Sequence, residues 1–148
     1  MDELTRAKHR ALYILERCDR TEQELRTKLG RNYEPEIVEE AILYVKQYDY
    51  INDKRYAINY LKSHSQIKSR RQVEQELLYK KGISRDILEE VSQEVEVQDE
   101  SLLIRRWMEK KHFSSETATQ EEQRKLYQFL LRRGFQSEDI LKEMRSQK

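Results

Sequence analysis

The residue types that usually carry catalysis are present in this sequence, but their spacing does not favour it. His9, His64 and His112 have no histidine or cysteine partner at a metal-ligand spacing, so we expect no metal site. The single cysteine, Cys18, lies on an apolar helical stripe, where a cysteine is usually buried and inert. Adjacent glutamates, such as those at 89–90, diverge on a helix and form a poor acid–base pair. The sequence therefore predicts a protein that is not an enzyme and that uses no cofactor or metal.

The basic residues are the remaining candidates for chemistry, because they could bind a polyanion. The formal net charge is only +1, but residues 54–85 contain nine lysines and arginines against two glutamates, and residues 86–100 contain seven acidic residues and no basic one. Residues 105–133 form a second basic stretch, with eight basic and four acidic residues. Charges more than about 10 Å apart are screened at 0.1 M salt, so a local basic face can act independently of the net charge. Solvated helix faces produce the same segregation, and both interpretations stay open.

A regular repeat organises the chain and must position these charges. Its only three glycines, Gly30, Gly82 and Gly134, lie 52 positions apart, and a basic residue stands two positions before each of them. A fixed period of about 50 residues indicates a tandem array of one supersecondary unit, in which each unit has a small core. The composition, 36% hydrophobic and 39% charged, agrees with small cores. The three basic residues are Lys28, Lys80 and Arg132.

Each repeat is predicted to contain three helices. Apolar residues at 7, 11, 14, 15 and 18, and again at 37, 41, 44, 45 and 48, recur at helical offsets and not in strand alternation. We expect these positions to face the core, including Cys18 at the end of the first stripe and Tyr48 at the end of the second.

Local signals predict where the helices begin and end. Thr21 with Glu24, and Ser69 with Gln72, have the spacing of capping boxes. The three glycines are expected to be left-handed helix stops. Further signals are Pro35 in a first helical turn, and Asp53 and Ser84 as N-caps.

Together these signals predict an all-α fold of three tandem three-helix repeats, about nine helices in an elongated array with scope for curvature. The predicted repeats are residues 1–52, 53–98 and 99–148. We expect the polar linker at 112–119 to be mobile. Apolar runs are short, which predicts no membrane-spanning helix. The charged start predicts no signal peptide, and the lone cysteine suits a reducing, cytoplasmic compartment.

Four segments resemble the RecX family. The most specific is Tyr50–Ala57, which is similar to the family's G-Y-[IL]-[DN]-D-x-x-[FY]-A signature. Arg17–Leu29 resembles the element R-x₃-[ST]-x-x-E-L-x-x-K-L, Glu76–Ile83 resembles E-L…K-G-I, and Arg132–Phe135 resembles R-R-G-F. The sequence departs from the signature at Asp49, where the family usually has glycine. The resemblance extends over nearly the whole chain.

The resemblance implies an all-helical, cytoplasmic bacterial regulator of the RecA recombinase that is not an enzyme. Family members dock in the groove of the RecA–single-stranded DNA filament and usually block its extension or promote its disassembly. They thereby depress ATP hydrolysis, strand exchange and co-protease activity in DNA repair and the SOS response. The implied partners are the RecA filament and single-stranded DNA, with no membrane, and we expect a monomer.

A filament groove offers DNA phosphates and acidic protein surface, so we expect the basic first and second helices of each repeat to form the contact. The repeated Lys28, Lys80 and Arg132 would form a row of positive charge, although the helix dipole also favours such cations by about 0.3–1 kcal/mol. Arg70 and Arg71 lie near a helix start, where the dipole opposes a cation, and this favours a binding role. The candidate contacts are Lys28, Lys62, Lys68, Arg70, Arg71, Lys80, Lys81, Arg105, Arg106, Lys110, Lys111, Arg132 and Arg133.

Two other functions fit the same sequence. Residues 21–48 have the pattern of a helix-turn-helix, as in a DNA-binding regulator, but the second helix at 36–48 carries three glutamates and one lysine. That charge is wrong for a recognition helix in the major groove. The other alternative is a DNA-independent helical scaffold for protein interactions. Its binding would survive high salt, whereas phosphate contacts weaken steeply.

Overall fold

The computed structural model describes residues 1–146, which form nine α-helices and no strand. The predicted all-α class is therefore confirmed. The helices are α1 (Glu3–Arg17), α2 (Glu22–Leu29), α3 (Pro35–Gln47), α4 (Asp53–His64), α5 (Arg70–Tyr79), α6 (Arg85–Glu94), α7 (Glu100–Lys110), α8 (Gln120–Arg132) and α9 (Ser137–Ser146). None of these helices is both long enough and apolar enough to cross a membrane.

The described chain divides into two compact units, of which the first contains residues 1–60 and 75–94. Here α1 packs against α3, and α2 packs against both. Each helix buries the apolar stripe that its sequence period places on one face, and a fully buried leucine or valine contributes about 1.5–3 kcal/mol. The core residues are Ala7, Ala11, Ile14, Leu25, Leu29, Val38, Ala41, Ile42, Val45 and Ile51.

The second unit contains residues 61–74 and the chain from residue 95 onward. In it α9 packs against α7 and α8. Helices α4 and α5 each contribute residues to both units. The repeat boundaries after residues 52 and 98 stay a prediction. The core residues of the second unit are Leu103, Ile104, Met108, Leu126, Leu130, Phe135, Ile140 and Met144.

The helix starts follow the local signals in most cases. Thr21 and Glu24 form the predicted reciprocal capping box at α2. Pro35 opens α3, and Ser84 Oγ accepts a hydrogen bond from Ile87 N–H at 3.2 Å at the start of α6. These contacts use N–H groups that a helix start leaves without an intrahelical acceptor.

Two cap predictions need correction. Asp53 is the first residue of α4 and not its cap, because Asn52 Oδ1 accepts the hydrogen bond from Arg55 N–H at 3.0 Å. The Asp53 carboxylate instead accepts from Glu22 N–H at 2.8 Å, and burial raises the pKa of Asp53. At α5 only half of the predicted box forms: Ser69 Oγ accepts from Gln72 N–H, but Ser69 N–H donates to Arg133 O at 3.0 Å.

Two of the three glycines are left-handed helix stops. Gly82 has φ +72° and Gly134 has φ +91°, as predicted. The prediction was wrong at Gly30, which has right-handed φ −64°. The reason is local, because the chain continues its right-handed winding beyond α2, and the N–H groups of Asn32 and Tyr33 both donate to Leu29 O at 3.1 Å.

The two left-handed glycine turns each pack on the start of another helix. The turn at Gly82 packs on the start of α2, and the turn at Gly134 packs on the start of α5. A Cβ on Gly82 would lie 2.6 Å from Gln23 Cβ in the first unit, and a Cβ on Gly134 would lie 2.6 Å from Gln72 Cβ in the second. The carbonyl before each glycine accepts a hydrogen bond at that helix start. In the first unit Thr21 Oγ donates to Lys81 O at 2.6 Å, and in the second the donor is Ser69 N–H. Glycine is required at both turns because a side chain has no room.

Asp49 and His112 adopt the same left-handed conformation without being glycine. Their φ angles are +60° and +56°, and they directly follow the last turns of α3 and α7. The next N–H after each residue reaches back to a helical carbonyl, Tyr50 to Val45 and Phe113 to Met108, both at 2.9 Å. This is the Schellman type of helix end. Asp49 is the position where the resemblance leads one to expect glycine, so the departure keeps the conformation that glycine favours.

Two burial predictions were wrong, both at the last member of an apolar stripe. Cys18 is exposed, and Tyr48 is 56% exposed. Cys18 has extended backbone because α1 ends at Arg17, and Tyr48 follows the last residue of α3. A helical offset places a residue in the core only while the helix lasts, so each stripe loses its final member.

Candidate functional site

Ten of the thirteen candidate contact residues fall in the second unit, and Lys28, Lys80 and Lys81 fall in the first. Lys28 is half-buried in the last turn of α2, and Lys80 is exposed just after α5. Each position agrees with the favourable interaction between a cation and the carbonyl end of a helix. The row that Lys28, Lys80 and Arg132 would form stays a prediction.

Arg70 is held inside the second unit. Its side chain is only 11% exposed, and its guanidinium donates to Glu74 Oε2 at 3.1 Å and to the carbonyls of Val95 and Glu96 at 3.0 and 3.2 Å. Its backbone N–H also donates to Glu100 Oε1 at 2.9 Å. Charge-assisted bonds to acceptors this close are strong, and they connect the start of α5 to the segment between α6 and α7. The arrangement explains a basic residue at this helix start without any external partner.

Arg71, the next residue, is exposed. Lys62, Arg106 and Arg132 are exposed as well, in helices α4, α7 and α8 of the same unit. Lys68 is half-buried in the connection before α5. Exposed guanidinium and ammonium groups are the ones that can bind phosphate without first breaking an internal bond.

Lys81 belongs to an internal network of the first unit. Its ammonium group lies 3.4 Å from Glu24 Oε2 and 5.9 Å from the centre of the Tyr60 ring. The Tyr60 hydroxyl donates to the buried carboxylate of Glu76 at 2.9 Å, and burial together with this bond raises the pKa of Tyr60. Because the Lys81 carbonyl also accepts from Thr21, the residue is anchored through both its side chain and its backbone.

The aromatic rings of Trp107 and Phe129 contact three of the candidate basic residues in the second unit. Their rings meet edge to face with centres 4.9 Å apart, and Trp107 Nε1 donates to Ile67 O at 3.0 Å. The Arg133 guanidinium lies over both rings, at 4.5 and 4.7 Å from their centres. Lys110 lies 5.1 Å from the centre of Trp107, and Lys111 lies 4.3 Å from that of Phe129. A ring face attracts a cation by about 0.5–1 kcal/mol at exposed sites.

Arg105 is also partnered, since its Nε lies 3.7 Å from Glu143 Oε2 on α9. The basic residues of the second unit stay predicted contacts, and the charge pattern did not reveal the aromatic residues that hold several of them. The signal that could have revealed the pairing is the alternation of Lys and Arg with Trp and Phe along 106–113 and 125–133. Among the described residues there is no cluster of three or more histidine, cysteine or acidic side chains that could hold a metal ion.

The comparisons with known proteins agree with the fold. Residues 7–44 match the model of the first three-helix domain of RecX, and residues 99–143 match that of the third three-helix domain. The chain is similar over 96% of its length to a crystal structure of RecX from Lactobacillus salivarius, with a TM-score of 0.69, 24% identity and 94% of that chain covered.

Two relatives show the similarity at the level of sequence. The "Regulatory protein RecX" of Caldanaerobacter subterraneus subsp. tengcongensis is 34% identical over 96% of this chain and 71% of its own length. The protein of the same name from Clostridium perfringens strain 13 is 32% identical over 90% of this chain, and the chain spans 65% of that relative's length. The chain belongs to the RecX family.

Proposed function

We propose that this protein is a regulator of the RecA recombinase, and that its effect is mostly negative. In this proposal it binds the RecA–single-stranded DNA filament in the cytoplasm as a monomer and limits filament extension. It would thereby reduce ATP hydrolysis, strand exchange and co-protease activity during DNA repair and the SOS response. The observation that carries the proposal is membership of the RecX family over nearly the whole chain, because relatives bear the name of a regulatory protein.

The contact would be made by the exposed cations of the second unit. Lys62, Arg71, Arg106 and Arg132 present free positive charge there, whereas Arg70 is committed to internal acceptors. A filament groove exposes phosphates and carboxylates, and each phosphate neutralised by a cation contributes a salt-dependent increment of affinity. We therefore assign contact to the exposed residues and assign to Arg70 the positioning of the α5 start beside the α6–α7 connection.

The decisive experiment measures the ATPase rate of RecA on single-stranded DNA while this protein is titrated in well below one molecule per RecA, at two salt concentrations. We expect the rate to fall, because a regulator that acts on filament growth affects many protomers at once. We also expect the decrease in ATPase rate to be smaller at the higher salt concentration, because phosphate contacts weaken with salt. An unchanged rate at both salts, with RecA from the same organism, would contradict the proposal.

Charge reversal locates the contact. The double variant Arg71→Glu with Arg106→Glu should lose inhibition at least tenfold while its far-UV circular dichroism stays that of the unmodified protein. Lys142→Glu is the matched control, because Lys142 is also an exposed lysine of the second unit but lies outside the assigned contact. Inhibition that survives the double variant and high salt would favour the protein scaffold that does not touch DNA.

A further inference from the structure

The second unit contains an open groove of about 380 Å³ between the end of α7 and one side of α8. Its apolar walls come from Phe113, Leu126 and Phe129. Leu126 is buried, whereas both phenylalanine rings are half-buried and border the open space. The volume lies in the range of small-molecule sites, about 300–1,000 Å³, and aromatic walls suit a planar guest.

The rim of this groove is basic. Lys111, Lys125 and Arg132 line it, and all three are exposed. Lys111 rests over the Phe129 ring, and Lys125 makes only a loose pair with Glu121 at 3.6 Å between two largely exposed side chains. The one carboxylate in the lining is that of Glu122. The excess of positive charge therefore favours an anionic ligand over a neutral or cationic ligand.

The left-handed residue His112 helps to create the site. With φ +56° it ends α7 and turns the chain so that Phe113 N–H binds Met108 O and Phe113 joins the groove wall. Without this turn the α7 end would not bring Phe113 opposite α8. A residue in this conformation is costly for a side chain other than glycine, and such positions cluster at functional sites.

We infer that this groove binds one nucleotide unit of single-stranded DNA, with the base against Phe113 and the neighbouring phosphates on Lys125 and Arg132. A nucleotide combines the two properties that the groove selects, a planar apolar face and negative charge. Stacking on aromatic rings tolerates any base, so the site would bind without sequence preference. The inference rests on the proposed function, because it assigns to the groove a share of the single strand that the filament contains.

The test compares two strands of equal length and charge, oligo(dT) and a strand built only of abasic residues, by fluorescence anisotropy without RecA. We expect the unmodified protein to bind oligo(dT) about tenfold more tightly, since stacking one base accounts for a difference of this order. Phe113→Leu keeps the apolar bulk and should remove most of that preference. Lys125→Ala with Arg132→Ala should weaken both strands alike and reduce the salt slope by about 1.4. Lys142→Ala, in the same unit but outside the groove, should change neither quantity.

The outcomes separate this inference from the proposed function. Equal affinity for the two strands, no binding of either at low salt, or an undiminished preference in Phe113→Leu would each overturn the base site. A preference that Phe113→Leu removes, together with an unchanged RecA ATPase rate, would support the groove and contradict the regulator. Far-UV circular dichroism and Trp107 fluorescence of each variant confirm that the second unit is folded.

Discussion

Alanine at position 82 tests the packing of the glycine turn on α2. Gly82 has φ +72°, and an alanine there would place Cβ 2.6 Å from Gln23 Cβ and 2.7 Å from Gln23 Cγ. Carbon atoms pack at about 3.5–4.0 Å, so the turn or α2 must move by roughly 1 Å. Any such movement also stretches the bond of 2.6 Å from Thr21 Oγ to Lys81 O, whose donor side chain is fully buried.

The magnitude follows from three contributions. The left-handed conformation costs a non-glycine residue about 1–2 kcal/mol. Overpacking costs about 1–3 kcal/mol, and weakening one buried hydrogen bond costs about 1 kcal/mol. We therefore expect Gly82→Ala to lower the free energy of unfolding by about 3–6 kcal/mol, a large part of the about 5–15 kcal/mol typical of a domain.

Gly30→Ala is the matched control, because Gly30 has the same place in its repeat but a right-handed φ of −64°. Its Cβ would meet only backbone carbonyls of α2, the nearest at 3.1 Å, so we expect a change within about 0.5 kcal/mol or a slight gain in stability. Urea unfolding followed by circular dichroism measures both variants. Equal destabilisation by the two alanines would refute the packing argument, because the sequence context of the two glycines is alike.

Three further predictions concern stability. His112→Gly should raise the free energy of unfolding by up to about 1 kcal/mol in urea denaturation, since glycine relieves a φ of +56°; a loss would show that the histidine ring contributes contacts of its own. Arg70→Ala should cost about 2–3 kcal/mol because it leaves partly buried acceptors without their charged donor, whereas Arg71→Ala should stay within about 0.5 kcal/mol, and equal costs in thermal melts would contradict this. Asp53 has a raised pKa, so its folded form binds the proton more tightly, and stability relative to Asp53→Asn should fall as pH rises above about 4. Parallel denaturation curves of both proteins at several pH values check the sign.

Local patterns were sufficient for most of the elements that depend on neighbours in the chain. Apolar residues at helical offsets predicted the helices, and Thr21 with Glu24 predicted a capping box that the structure contains. Helix stops were predictable only in part. Glycine signalled Gly82 and Gly134, but Asp49 and His112 adopt the same conformation without such a signal. Backbone hydrogen bonds to the ends of α3 and α7 hold these two residues in place, and residue type alone does not reveal them.

The sequence alone does not distinguish the basic side chains that are exposed to a partner from those that are hydrogen-bonded within the protein. Arg70 and Arg71 are adjacent and identical in type, yet one binds the carbonyls of Val95 and Glu96 and the other is exposed. The difference arises because the acceptors of Arg70 lie 25 and 26 positions along the chain and reach it only after folding. Similarly, a side chain at position 82 would clash and one at position 30 would not, because of the two turns only that at Gly82 packs on a helix start about 60 residues earlier.

The sequence by itself determined the helical class, the period of the repeat and the family, because each of the three follows from residue types that recur at fixed spacings. Tertiary structure decided which charges remain available to a partner and brought Phe113, Phe129 and Arg132 to one groove. The physical reason is that the availability of a charge depends on the groups within a few ångströms of it. In a chain of short helices those groups come from distant segments.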